Sequence, residues 1–124
     1  MTISEQNPLD GQSILYVDAD ETTRTLISRM LSKRGARVAA VASAGVALKA
    51  FHVQPPSTVI AGQDVGEPAL PEFIRALQGE NSPATPVILY TESSLQDAAE
   101  IPHLFHVPRN AGFGVLVKVL QRIS

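Results

Sequence analysis

Short apolar runs in alternation with longer amphipathic ones restrict this chain more than any other feature. Ile14-Leu15-Tyr16-Val17, Arg37 to Val41, Thr58-Val59-Ile60-Ala61, Pro86-Val87-Ile88-Leu89-Tyr90 and Leu104 to Val107 have the length of strands. Near-continuous apolarity, as in Thr58 to Ala61, belongs to strands buried on both faces of a parallel sheet. Between them the apolar residues recur at helical spacing. A first helix is predicted from about Glu21 to Arg34, with Leu26, Ile27, Met30 and Leu31 on one face, Asp20 as its cap and Gly35 as its stop. Ser43 is placed to cap a second helix through Phe51, ended by Pro55-Pro56, and Pro71 suits the first turn of a third that buries Phe73, Ile74 and Leu77 and closes at Gly79. A short helix is expected around Ser94 to Glu100, and a last one carries Val115, Leu116, Val119, Leu120 and Ile123 on one face.

Five strands alternating with five helices, joined by right-handed crossovers, imply an α/β flavodoxin-like, doubly wound, five-stranded parallel sheet. In such sheets the functional crevice lies outside the carboxyl ends of the strands. The segments to inspect are therefore Asp18 to Glu21, Gly62 to Pro68, Tyr90 to Ser93 and Val107 to Asn110. At 124 residues and 44% hydrophobic content the chain is the size of one domain, here 13–124, preceded by a flexible tail over 1–12 that contains Asn7-Pro8 and Asp10-Gly11. A net charge of -2 offers no general attraction for nucleic acid or an anionic membrane surface. The absence of cysteine excludes disulfides, thiolate metal sites and Cys nucleophiles. The polar start shows no signal-peptide pattern and no stretch is long and apolar enough to span a bilayer, so a cytoplasmic location is expected.

The loop Val17-Asp18-Ala19-Asp20-Glu21 is acidic and has no glycine, so it is neither a dinucleotide fingerprint nor a P-loop. Acids at a strand end suit a hard cation such as Mg²⁺, with Asp18 and Asp20 as weak candidates; the plainer alternative is a helix cap and a loop acid. His103 and His106 lack a third ligand for a metal, and His52 is a loop histidine. No Ser/His/Asp set or glycosidase-like carboxylate pair is evident, so no enzyme is expected.

Ile14-Leu15-Tyr16-Val17-Asp18-Ala19-Asp20 followed by Arg24 resembles the opening of response-regulator receiver domains of two-component signalling. Pro86-Val87-Ile88-Leu89-Tyr90-Thr91 is similar to their fourth strand with its hydroxyl residue, Val107-Pro108 stands where they carry Lys-Pro, and Ala42 to Leu48 is similar to their second helix entry. The resemblance runs through Ser13 to Ser124. It implies a pocket in which an adjacent acid pair holds Mg²⁺, a third acid accepts a phosphoryl group from a phosphohistidine, and Thr and Lys contact that group. In this chain Asp18 and Thr91 are present, but Ala19 replaces the second acid, Gly62 the acceptor and Val107 the lysine. Without the cation a phosphoryl dianion lacks its main counter-charge. Glu92 beside Thr91 would repel it further. Tyr90 is expected to pack in the core or at its rim.

The resemblance therefore implies a degenerate pseudo-receiver, a phosphorylation-independent module acting by protein-protein interaction, without cofactor. Two alternatives stay open. Asp64 is followed four residues on by Pro68, as the family's acceptor is, and could serve as acceptor with Mg²⁺, or be a turn residue bonded to its own loop. The crevice around Asp18, Gly62, Thr91 and Val107 could instead hold a neutral small molecule. Arg24, Arg29, Lys33, Arg34 and Arg37, half of the ten basic residues, cluster in or after the first helix. They are candidates for docking an acidic signalling partner such as a histidine kinase, or simply a solvated face. The family's usual homodimer face is doubtful here, because Thr91 to Val107 is shorter than in receivers and Ala111, Gly112 and Gly114 loosen the start of the last helix.

Overall fold

The computed structural model describes residues 8–80, 85–92 and 103–123. Five strands, β1 (Ser13–Val17), β2 (Arg37–Val41), β3 (Thr58–Ala61), β4 (Val87–Thr91) and β5 (Leu104–Pro108), form one sheet in the order β2-β1-β3-β4-β5. Every pairing is parallel. The described helices are α1 (Glu21–Lys33), α2 (Ala44–Val53), α3 (Leu70–Glu80) and α4 (Phe113–Ile123). The helix expected around Ser94 to Glu100 lies outside the described residues.

Side chains alternate across the strands and divide the interior into two cores. Ile14, Tyr16, Ile60, Ile88, Tyr90 and Val107 face α1 and α4, where Ile27, Leu31, Leu116, Val117 and Leu120 meet them. Leu15, Val17, Val59, Ala61, Val87 and Leu89 face α2 and α3, against Phe51, Phe73, Ile74 and Leu77. Burial of both faces explains why the central strands read as unbroken apolar runs.

The helix boundaries follow from local chemistry. The Asp20 carboxylate accepts hydrogen bonds from the backbone N–H and the hydroxyl of Thr23 at the start of α1, and Ser43 Oγ accepts from Val46 N at the start of α2. Gly35, at φ 100°, ends α1: its N–H reaches Ser32 O and the next N–H, of Ala36, reaches Leu31 O, a Schellman closure that needs a left-handed residue.

Four expectations are corrected. Leu26 is 55% exposed, because the buried face centres on Ile27 and Leu31 and the preceding residue lies about 100° round the helix. For the same reason Val117, not Val115, joins Leu116 and Leu120 in the core. Helix α3 passes Gly79 and reaches Glu80. Two residues expected in the tail over 1–12 belong to the packed fold: Leu9 is fully buried in the first core and its N–H binds Arg34 O, while Gln12 is buried with its side-chain amide on Leu120 O.

Candidate functional site

The carboxyl ends of β1, β3, β4 and β5 bring together the positions singled out in the sequence. Asp18, just past β1, is buried, with Thr91, the last residue of β4, and Val107 of β5. Gly62 follows β3 directly, is buried, and its N–H binds Val17 O at 2.8 Å. Ala19 is exposed, and its N–H reaches Asp64 O at 2.7 Å.

Each polar atom of Asp18 has a partner. Its N–H donates to Val41 O (3.1 Å) and its carbonyl accepts from Arg24 Nη1 (2.9 Å). Oδ1 accepts from Asp20 N at 2.9 Å and Oδ2 from the Tyr16 hydroxyl at 2.7 Å. Burying a carboxylate is costly unless donors satisfy it, and here a phenol and a backbone amide do so. Burial first, and then the bond to Asp18, push the Tyr16 phenol well above its ordinary pKa, so it remains a donor.

The carboxylate leans over Gly62. A Cβ at position 62 would stand 2.8 Å from Asp18 Cγ, and closer still to Oδ2. The space a side chain would take at the expected acceptor position is thus filled by Asp18. Glycine is needed here for the close approach of another group.

Asp64 lies exposed in the loop beyond, and its Oδ1 accepts from Gly66 N at 2.9 Å, the bond of an Asx turn. Asp20 is occupied as the cap of α1; its bonds to the Thr23 side chain and backbone hold its pKa below the usual carboxylate value. Among the described residues no group of three metal-ligating side chains comes together. His106 Nε2 lies 3.2 Å from Thr91 O, and exposed His103 adopts a left-handed φ of 62°.

Two residues missed in the sequence complete the site. Gln63 Oε1 accepts from Glu92 N at 2.8 Å, tying the loop after β3 to the end of β4. Arg109, two residues past Val107, stacks 5.8 Å above the Tyr90 ring, and its charge slightly opposes the rise at Tyr16 and adds to the lowering that the Thr23 bonds produce at Asp20. A cation so close in sequence to the expected lysine was the available signal. The five basic candidates do not act as one face. Arg24 is held by Asp18 O, and Arg34 by Met30 O (2.9 Å) and the Phe113 ring (4.8 Å), whereas Arg29, Lys33 and Arg37 are exposed.

No protein-family model matches the chain, and no curated protein matches it. Solved structures do. The chemotaxis response regulator CheY4 of Vibrio cholerae is 21% identical, with a TM-score of 0.78 over 91% of this chain and 98% of that one. The signal receiver domain of a signal transduction histidine kinase from Syntrophus aciditrophicus is 20% identical (TM-score 0.78; 91% and 89% covered). The N-terminal domain of a response regulator/sensory box/GGDEF 3-domain protein from Carboxydothermus hydrogenoformans is 18% identical (TM-score 0.77; 90% and 93% covered). The five-stranded parallel sheet and its flanking helices are thus the fold of response-regulator receiver domains.

Proposed function

We propose that the chain is a pseudo-receiver: a signalling module that acts by binding other proteins and does not depend on phosphorylation. The observation that carries this is the Asp18 carboxylate seated against Gly62 and held there by Tyr16 and Asp20. A phosphoryl acceptor needs an acidic side chain open to the donor and a cation to receive the charge. Here the remaining acid is buried with its oxygens already bonded, the acceptor position has no side chain, and apolar Val107 is packed into the core. An unpaired like charge would also meet Asp18 at the moment of transfer.

The geometry of Asp64 supports its role as a turn residue, since its carboxylate closes its own loop onto Gly66. Burial of Asp18, Thr91 and Val107 also gives a small molecule little room between them. Exposed Arg29 and Lys33 on α1 offer a basic face to an acidic signalling partner. The test is intact-mass measurement of the chain after incubation with acetyl phosphate and Mg²⁺, where no phosphate adduct is expected. A stable adduct that Asp64→Asn abolishes overturns the proposal.

A further inference from the structure

We infer that the free edge of β2, with the groove between it and α2, docks an extended acidic segment of a partner protein. The groove holds about 360 Å³ and runs past Leu15, Arg37, Ala39, Ala50 and Val53, at the end of the strands opposite to Asp18 and Gly62.

Three observations converge on this edge. The first is its backbone. β2 is an outer strand of the sheet. Arg37 N donates to Gln12 O and Val41 O accepts from Asp18 N, so residues 37, 39 and 41 bond inward to β1. Alternation then turns the N–H and C=O groups of Val38 and Ala40 outward, where an added strand would pair with them. The second is an apolar stripe whose two ends stand exposed. Val46, Ala50 and Val53 recur at helical spacing along α2, and Val53 is 83% exposed, far more than the other exposed large apolar side chains of the described residues. Ala39 and Ala40 on the strand are exposed too, so the middle of the edge lacks the bulky or charged side chains that usually guard one.

The third observation selects the occupant. Arg37 lines the groove, exposed Lys49 lies on α2 between Val46 and Val53, and none of the lining residues is acidic. A second copy would set one basic edge against another, whereas an acidic strand brings opposite charge to the edge that Arg37 and Lys49 make basic, and its alternate valine-sized side chains lie on the groove side. This names a partner chemistry for the binding module proposed above. Because the groove is remote from Asp18, its failure would leave the phosphorylation result unaffected.

The probe is the peptide acetyl-(Glu-Val)₃-amide, titrated into the ¹⁵N-labelled full chain and followed by amide shifts. Expected are saturable shifts centred on Val38 and Ala40, roughly tenfold weaker binding of acetyl-(Lys-Val)₃-amide, and roughly tenfold weaker binding of the acidic peptide to Val53→Glu. Val53 is so exposed that this variant should fold. Absence of shifts at about millimolar peptide, equal binding of the two peptides, or shifts confined to the carboxyl ends of the strands overturns the inference. Sedimentation of the chain alone provides the other arm: a dimer that Val53→Glu dissociates would assign the groove to a second copy and overturn it as well.

Discussion

Strand β1 contributes to two surfaces of opposite character. Past its carboxyl end, Asp18 is buried with every polar atom bonded, and the neighbouring Gly62 leaves no space between them. At its amino end, Ser13 to Leu15 border an open groove whose apolar wall includes exposed Val53. Receiver domains are expected to do their chemistry at the first of these ends. In this chain that end is closed, and unsatisfied binding capacity, both apolar surface and backbone hydrogen bonds, has collected at the sheet edge. A charge can be stored inside a protein only when its partners are fixed, whereas an open edge needs only an absence of cover.

Substitutions should separate the two regions by size of effect. Gly62→Ala should cost most, about 3 kcal/mol in urea unfolding, because its methyl group collides with a pinned carboxylate. Adding Asp18→Ala should recover part of that loss; if Gly62→Ala is neutral, the closed end is softer than described. Tyr16→Phe should cost about 2 kcal/mol by leaving Asp18 Oδ2 buried without its donor. The raised pKa of Tyr16 adds a pH signature. Its contribution is fully present below about pH 10 and falls as the pH rises further, because the unfolded chain then loses a proton that the native state keeps. The variant should show a shallower alkaline decline.

Asp20→Asn should matter less. Asparagine caps as well as aspartate, so neutral stability should hardly move. The depressed pKa of Asp20 gives stability that is present above the usual carboxylate value and lost as the pH falls through the native one, and the variant should flatten that acid slope in thermal melts. Smallest of all, Val53→Ser at the open edge should change stability by less than about 0.5 kcal/mol. A larger loss there would mean that the edge is already covered by the protein itself.

Much of the architecture was legible because it is written in local patterns. The strand runs, the caps at Asp20 and Ser43 and the stop at Gly35 each depend on a few adjacent residues, and all are found in place. Asp18, Gly62, Thr91 and Val107 lie at or just past strand ends, as their positions in the sequence indicate, since strand ends align with the ends of apolar runs. What was not legible depends on the third dimension. That Asp18 fills the space above Gly62 follows from the approach of two strand ends 44 positions apart. Leu9 looked like part of a polar tail because one apolar residue has no period, yet a turn returns it to the core. Arg24 and Arg34 read as surface charge in the sequence, whereas their guanidinium groups bond backbone carbonyls. The groove at β2 leaves no motif, being the gap between two ordinary elements.

The contact between Asp18 and position 62 also acts as a ratchet. Placing an acid at 62 by a single substitution drives it into a carboxylate that cannot yield without losing its bonds to Tyr16 and Asp20. Clearing Asp18 first removes the carboxylate and strands the Tyr16 hydroxyl inside the core. Either substitution lowers stability on its own, so an acid at position 62 requires both changes together.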